Sequence, residues 1–207
     1  MPLATWFAFA VASVVILLIP GPTVLLVVSY SLTQGRRVAL AMATGVALGD
    51  FLAMTLSLAG LGALLLASAT LFTVLKWVGA AYLVYLGVRL WLSKPALPEA
   101  GVDVAPKAAG PIFIHAFVVT SLNPKSIAFF VAFVPQFIDR NAVLLPQFVI
   151  LEVTFVTFAL LNALAYAIAA DRLRSVVRKP RVLKWMNRAG AGCLVGMGAL
   201  TAATSRT

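Results

Sequence analysis

One cysteine, one histidine and six acidic residues are all that the 207 positions offer for redox, metal and acid–base chemistry. A single thiol, Cys193, forms no internal disulfide and supports no dithiol relay. One histidine and no HExxH rule out the usual metal-dependent hydrolases, and no nucleophile stands beside a base as an intramembrane protease requires. Neither an enzyme activity, a metal nor another cofactor is expected. Charge is scarce as well: 11% of residues are charged against 62% hydrophobic, with a mean hydropathy of +1.04. That is more apolar surface than one water-facing core can hide, so the chain reads as an all-α integral membrane protein. The first apolar run starts at Leu3 with no Lys or Arg before it, unlike the basic start of a cleaved signal, and is taken as a span.

A bilayer core needs roughly 20 apolar residues per helix. Six stretches meet this: 3–32, 38–67, 70–92, 112–138, 142–170 and 186–204. The connection from Ser93 to Pro111, rich in Pro and Ala with charges of both signs, reads as a surface linker. It divides the chain into a first unit, 1–92, a linker, 93–111, and a second unit, 112–207. Arg36, Arg37, Arg89, Lys94, Lys107 and seven basic residues from Arg172 to Arg188 share one face. Lys76, Arg140 and Arg206 are on the other, so the positive-inside rule puts both termini outside. The net charge of +10 and the basic run DRLRSVVRKPRVLKWMNR are therefore read as a topology signal facing anionic lipid. Nucleic acid is not an expected partner.

Three spans on each side of the linker invite a search for internal symmetry. Pro22 and Asp50 are 28 positions apart, as are Pro124 and Glu152, so one offset of 102 lays proline on proline and acid on acid. GAAYLVYLG at 79–87 also resembles GAGCLVGMG at 190–198, once nine residues of the basic loop are treated as an insertion. An odd number of spans per unit inverts the second unit. The expected architecture is six transmembrane helices as an inverted 3+3 repeat, with helices one and four broken by proline.

The breaks are PGP at 20–22 and NPK at 123–125. Proline lacks an N–H, so Pro20 and Pro22 should free the carbonyls of Ile16 and Leu18, and Pro124 that of Thr120. Each break also opens a new helix N-terminus, whose free N–H groups suit a carboxylate while freed carbonyls suit an ammonium. Pro20, Gly21, Pro22, Asn123, Pro124 and Lys125 are thus candidates for holding a small zwitterion. Asp50 and Glu152 lie well inside spans two and five, where a charge costs on the order of 2.5–3.5 kcal/mol and usually faces a cavity or partner. They are candidates for taking the substrate amine or a proton, and all three charges are expected to share one cavity.

Other polar positions carry less. Gln136, Gln147 and Asn162 could line a pathway or bond between helices. His115, at the start of span four, reads as a satisfied interface residue. Gly45/Gly49 and Gly192/Gly196 form GxxxG pairs, read as close helix packing. The four tryptophans fall near span ends and suit an aromatic belt.

Three blocks give a family resemblance: PGPTVLLVVSYSLTQGRR at 20–37, LKWVGAAYLVYLGVRLW at 75–91 and NPKSIAFFVAFVPQFID at 123–139. In order, spacing and length the chain resembles the lysine exporter superfamily, in the homoserine/threonine branch of the LysE-type translocators. The resemblance implies a small six-helix protein of the bacterial inner membrane that exports amino acids or their derivatives, driven by protons. The family's broken-helix motifs correspond to Pro20, Gly21, Pro22, Asn123, Pro124 and Lys125. Asp50 matches an acid many members carry, and Glu152 is less typical. The expected partners are a small zwitterionic substrate, protons and lipid, and a homodimer is compatible with the sequence. An exporter or channel for another small solute or cation is the competing reading. A thiol-relay oxidoreductase is disfavoured by the lone Cys193.

Overall fold

In the computed structural model every described element is helical, in the order α1 (Leu3–Leu18), α2 (Pro22–Gln34), α3 (Ala39–Ala67), α4 (Ala69–Leu92), α5 (Ala109–Ser121), α6 (Pro124–Ala128), α7 (Leu144–Val177) and α8 (Pro180–Ala203). One π-helical turn, Phe129–Phe133, and one 3₁₀ turn, Val134–Phe137, continue α6. The structure describes residues 1–19, 21–34, 38–93, 108–139, 141–177 and 180–203. Within these ranges the side chains of 32, 33, 64–67, 69, 72, 76, 170–177, 180, 183 and 186 are not described. Pro20, most of the linker and several basic residues of the topology argument lie outside the described residues.

The prolines begin helices rather than kink them. Pro22 and Pro124 are the first residues of α2 and α6, where a missing N–H has no intrahelical acceptor to lose. The predicted first span is consequently two helices, α1 and α2, bent by 57°. The predicted fourth span starts earlier, at Ala109, and is interrupted at Leu122–Asn123. The last residues assigned to the linker, Ala109 to Pro111, therefore belong to α5. Among the described residues, four helical stretches are long and apolar enough to cross a membrane, and the bent α1/α2 pair makes a fifth. α8 is not among them: its start is charged and its body is glycine-rich, which dilutes the hydropathy of the predicted sixth span.

Lipid tails are as apolar as the helices, so association rests on close packing and on bonds between polar groups. Glycine supplies the closeness. A Cβ on Gly45 would come within 2.6 Å of the Phe113 carbonyl oxygen, and one on Gly49 within 2.8 Å of that of Phe117, so α3 lies directly on α5. α4 and α8 interlock reciprocally: a Cβ on Gly87 would meet Val195 Cγ2 at 2.7 Å and Ala191 O at 2.9 Å. One on Gly198 would meet Val84 Cγ2 at 2.7 Å and Ala80 O at 2.8 Å. The expectation of close packing at Gly192 and Gly196 is not met within the chain: no described residue lies within 4 Å of a Cβ at either, and they face outward from α8.

Two apolar clusters form the interior. One is aromatic, centred on Phe9, Phe129, Phe130 and Phe155, and joins α1, α7 and the π turn. The other is built mainly from small and branched residues of α2, α3, α5 and α7, among them Val27, Val46 and Ala163, with Met42 between them. The helix breaks lie between them.

Candidate functional site

α1 ends at Leu18, leaving its last carbonyls without intrahelical partners. Side chains from the second half of the chain supply the donors. Lys125 Nζ donates to Ile16 O at 3.0 Å and to Ile19 O at 2.8 Å. Asn162 Nδ2 donates to Leu17 O and the Tyr166 hydroxyl to Leu18 O, each at 3.3 Å. The expectation that these oxygens stay open for a substrate is corrected, since four consecutive carbonyls are capped by α6 and α7. The lysine side chain runs alongside Gly21, where a Cβ would sit 3.4 Å from Nζ, an ordinary contact distance.

The second break is handled differently. Thr120 O, expected to be freed by Pro124, accepts from Asn123 N at 3.0 Å as the chain tightens, and Leu122 N bonds Val118 O at 3.1 Å. Asn123 Oδ1 caps α6 by accepting from Lys125 N at 3.1 Å, and its Nδ2 donates to Thr23 Oγ1, also at 3.1 Å. Thr23 Oγ1 is 3.3 Å from Thr120 Oγ1. The two residues that follow the aligned prolines, Thr23 and Lys125, thus each reach the end of the opposite half's broken helix.

Between the breaks is a cavity of about 20 Å³, lined by Thr23, Asp50, Asn123, Lys125, Asn162 and Tyr166 together with apolar side chains of α1, α2, α3 and α7. That is room for about one water. Asp50, in the middle third of α3, is 2% exposed. Ser126 and the Lys125 charge are the polar neighbours that act on its carboxylate. Its Oδ1 has no partner among the described residues.

Glu152 does not join this cavity. It opens onto a separate groove of about 390 Å³ between α3 and α7, lined by Phe51, Val149, Val153, Val156 and Thr157, and is hydrogen-bonded to Thr55. The shared spacing from the aligned prolines fixes where the acids fall along the chain, but the helix face each occupies differs. Gln136 and Gln147 also lie away from the cavity. Gln136 Nε2 donates to Thr201 Oγ1 at 2.6 Å, and Gln147 ties down the turn before α7 through both the N–H and the carbonyl of Asp139. His115 Nδ1 is 2.9 Å from the Tyr30 hydroxyl.

Sequence reading singled out Thr23 and Ser126 only for backbone N–H groups at the new helix starts, and missed their side chains and Tyr166. Tyr166 had a usable signal: it stands four residues after Asn162, on the helix face that also carries Phe155 and Ala159.

A carboxylate held deep in a bundle of apolar helices, where backbone breaks meet, suits a protein that passes polar solutes through a bilayer. Among such translocators the family is specific: the chain belongs to the LysE-type translocators, whose sequence profile matches residues 14–205. It is 34% identical to an uncharacterised membrane protein of Vibrio cholerae, over 98% of each chain. It is also 34% identical, over 95% of each chain, to proteins named homoserine/homoserine lactone efflux protein in Salmonella typhimurium and Salmonella typhi. No solved structure matches it. The family is one of transporters, in keeping with a chain that is not an enzyme.

Proposed function

We propose that the protein is a secondary transporter of the bacterial cytoplasmic membrane, exporting small homoserine- or threonine-like amino acids or derivatives in exchange for protons. The observation that carries this reading is buried Asp50, which lines a cavity where two helix breaks meet and whose Oδ1 has no partner among the described residues. A substrate ammonium fits that oxygen. The carboxylate fits the start of α2, where Thr23 and Val24 line the cavity and the turn is closed by Leu25 N donating to Gly21 O at 3.0 Å. Lys125 adds positive charge while closing α1.

A space for one water does not admit an amino acid, so this conformation is closed and transport requires the halves to move apart. The inverted 3+3 repeat describes how. Aligning GAAYLVYLG with GAGCLVGMG pairs Gly87 with Gly198, Val84 with Val195 and Ala80 with Ala191, and the contacts of Gly87 are then those of Gly198 with the halves exchanged. Such reciprocity supports a pseudo-two-fold axis through the α4/α8 seam, about which one unit rocks against the other. Both termini lie outside in this arrangement.

The test is export of homoserine from loaded vesicles under a pH gradient. The wild-type chain is expected to drive export and to show counterflow, which a channel does not. Asp50→Asn should abolish both, and wild-type rates in that variant would contradict the assignment.

A further inference from the structure

Glu152 is the acid at membrane depth that the Asp50 cavity leaves out. On α7 it belongs to a stripe of Val149, Glu152, Val153, Val156 and Thr157, the i, i+3, i+4 spacing of one helix face. Opposite that stripe, α3 presents Phe51 and, one turn on, Thr55, which donates to Glu152 Oε1. The groove between them, about 390 Å³, is in the size range of small-molecule sites. Its walls are mostly apolar and open outward: Phe51 is 47% exposed, Val149 50% and Val153 61%.

An acid at such a depth is costly and ordinarily meets a cation. None is supplied by the described residues. No described Lys, Arg or His lines the groove, and Glu152 has no ion pair, and no hydrogen bond beyond that from Thr55, to any described residue. Lys125 is engaged elsewhere, on Ile16 O and Ile19 O beside Asp50. The groove therefore suits a cation from outside the chain, and its walls suit one with an apolar body.

We propose that this groove is a second binding site, for an amphiphilic amine that carries no carboxylate. Its ammonium donates to Glu152, and its apolar body lies along Phe51, Val149 and Val153. Depth names the source. Glu152 is eight residues into α7, about 12 Å along the axis at roughly 1.5 Å per residue, so a phospholipid ammonium held in the headgroup layer does not reach it. A free amine dissolved in the bilayer enters from the side, past the exposed Val153. The two acids thus divide by chemistry. Asp50 stands with Lys125 and the start of α2, where both charges of a zwitterion find partners. Glu152 has no described cation beside it, so the carboxylate of a zwitterion would enter its groove without one.

The test is protection of a thiol in the full chain, in phosphatidylcholine vesicles. In a Cys193→Ser background, Val149→Cys places a thiol on the groove wall. Phenethylamine should slow its labelling by a membrane-permeant thiol reagent, while phenethyl alcohol and phenylalanine, the neutral and zwitterionic analogues, should not. Glu152→Gln keeps an acceptor for Thr55 and should raise the amine concentration needed by roughly tenfold or more. Val153→Trp fills the groove from an exposed position, leaves Glu152 in place, and should abolish protection. Equal protection by the amine and the alcohol, or undiminished protection in Glu152→Gln, would overturn the proposal. Protection by phosphatidylethanolamine in place of the amine would assign the groove to a lipid headgroup and also overturn it. Homoserine in excess should leave the amine bound, and displacement would overturn the separation of the two sites. The readout is binding, so it decides this site whether or not the Asp50 cavity carries an amino acid.

Discussion

Uncapping α1 should destabilise the protein in proportion to the acceptors left without donors. Asn162→Ala strands one buried carbonyl, Leu17 O, and is expected to cost about 1–3 kcal/mol. Lys125→Met strands Ile16 O and Ile19 O and removes the cation beside Asp50, so its melting temperature in detergent should fall further than that of Asn162→Ala. Equal melting points for the two variants would contradict the capping account. At this scale the need for donors was legible, because a proline's missing N–H is written in the sequence. Their identity was not: Lys125 and Tyr166 lie 106 and 148 positions from the carbonyls they reach at Ile19 and Leu18, and only the tertiary fold brings them there. Glu152 shows the opposite limit, since its aligned spacing with Asp50 concealed that the two side chains leave their helices on different faces.

Helix packing separates glycines that look alike in one dimension. Gly45→Leu or Gly87→Leu drives a side chain into a neighbouring backbone, and each is expected to cost about 1–3 kcal/mol, or to abolish folding, in a thermal melt. Gly192→Ala and Gly196→Ala should leave the melt unchanged, because their surroundings are open. Both pairs share the GxxxG spacing, which marks a face where helices can approach closely but not whether one does. The elements themselves were largely readable from apolar run length. The exceptions were the starts of α5 and α8, where Pro111 and Pro180 lie within first turns that tolerate proline, whereas the break between α1 and α2 falls at the PGP where it was expected.

For the whole molecule, the charge asymmetry predicts both termini outside. A reporter active only in the cytoplasm should be silent when fused after Thr207, and activity there would reverse the orientation. The proposed repeat rests on an offset of 102 between prolines and acids in the sequence and is supported by the reciprocal α4/α8 contacts. The closed cavity between the halves is the centre of the account, because a transporter of this design must open it to load its substrate. In a Cys193→Ser background, Thr23→Cys places a thiol on the cavity wall and Thr157→Cys places one in the Glu152 groove. Homoserine should slow labelling at position 23 by a membrane-permeant thiol reagent and leave labelling at position 157 unaffected; equal labelling at position 23 with and without homoserine, in protein that still transports it, would contradict a substrate site between the breaks.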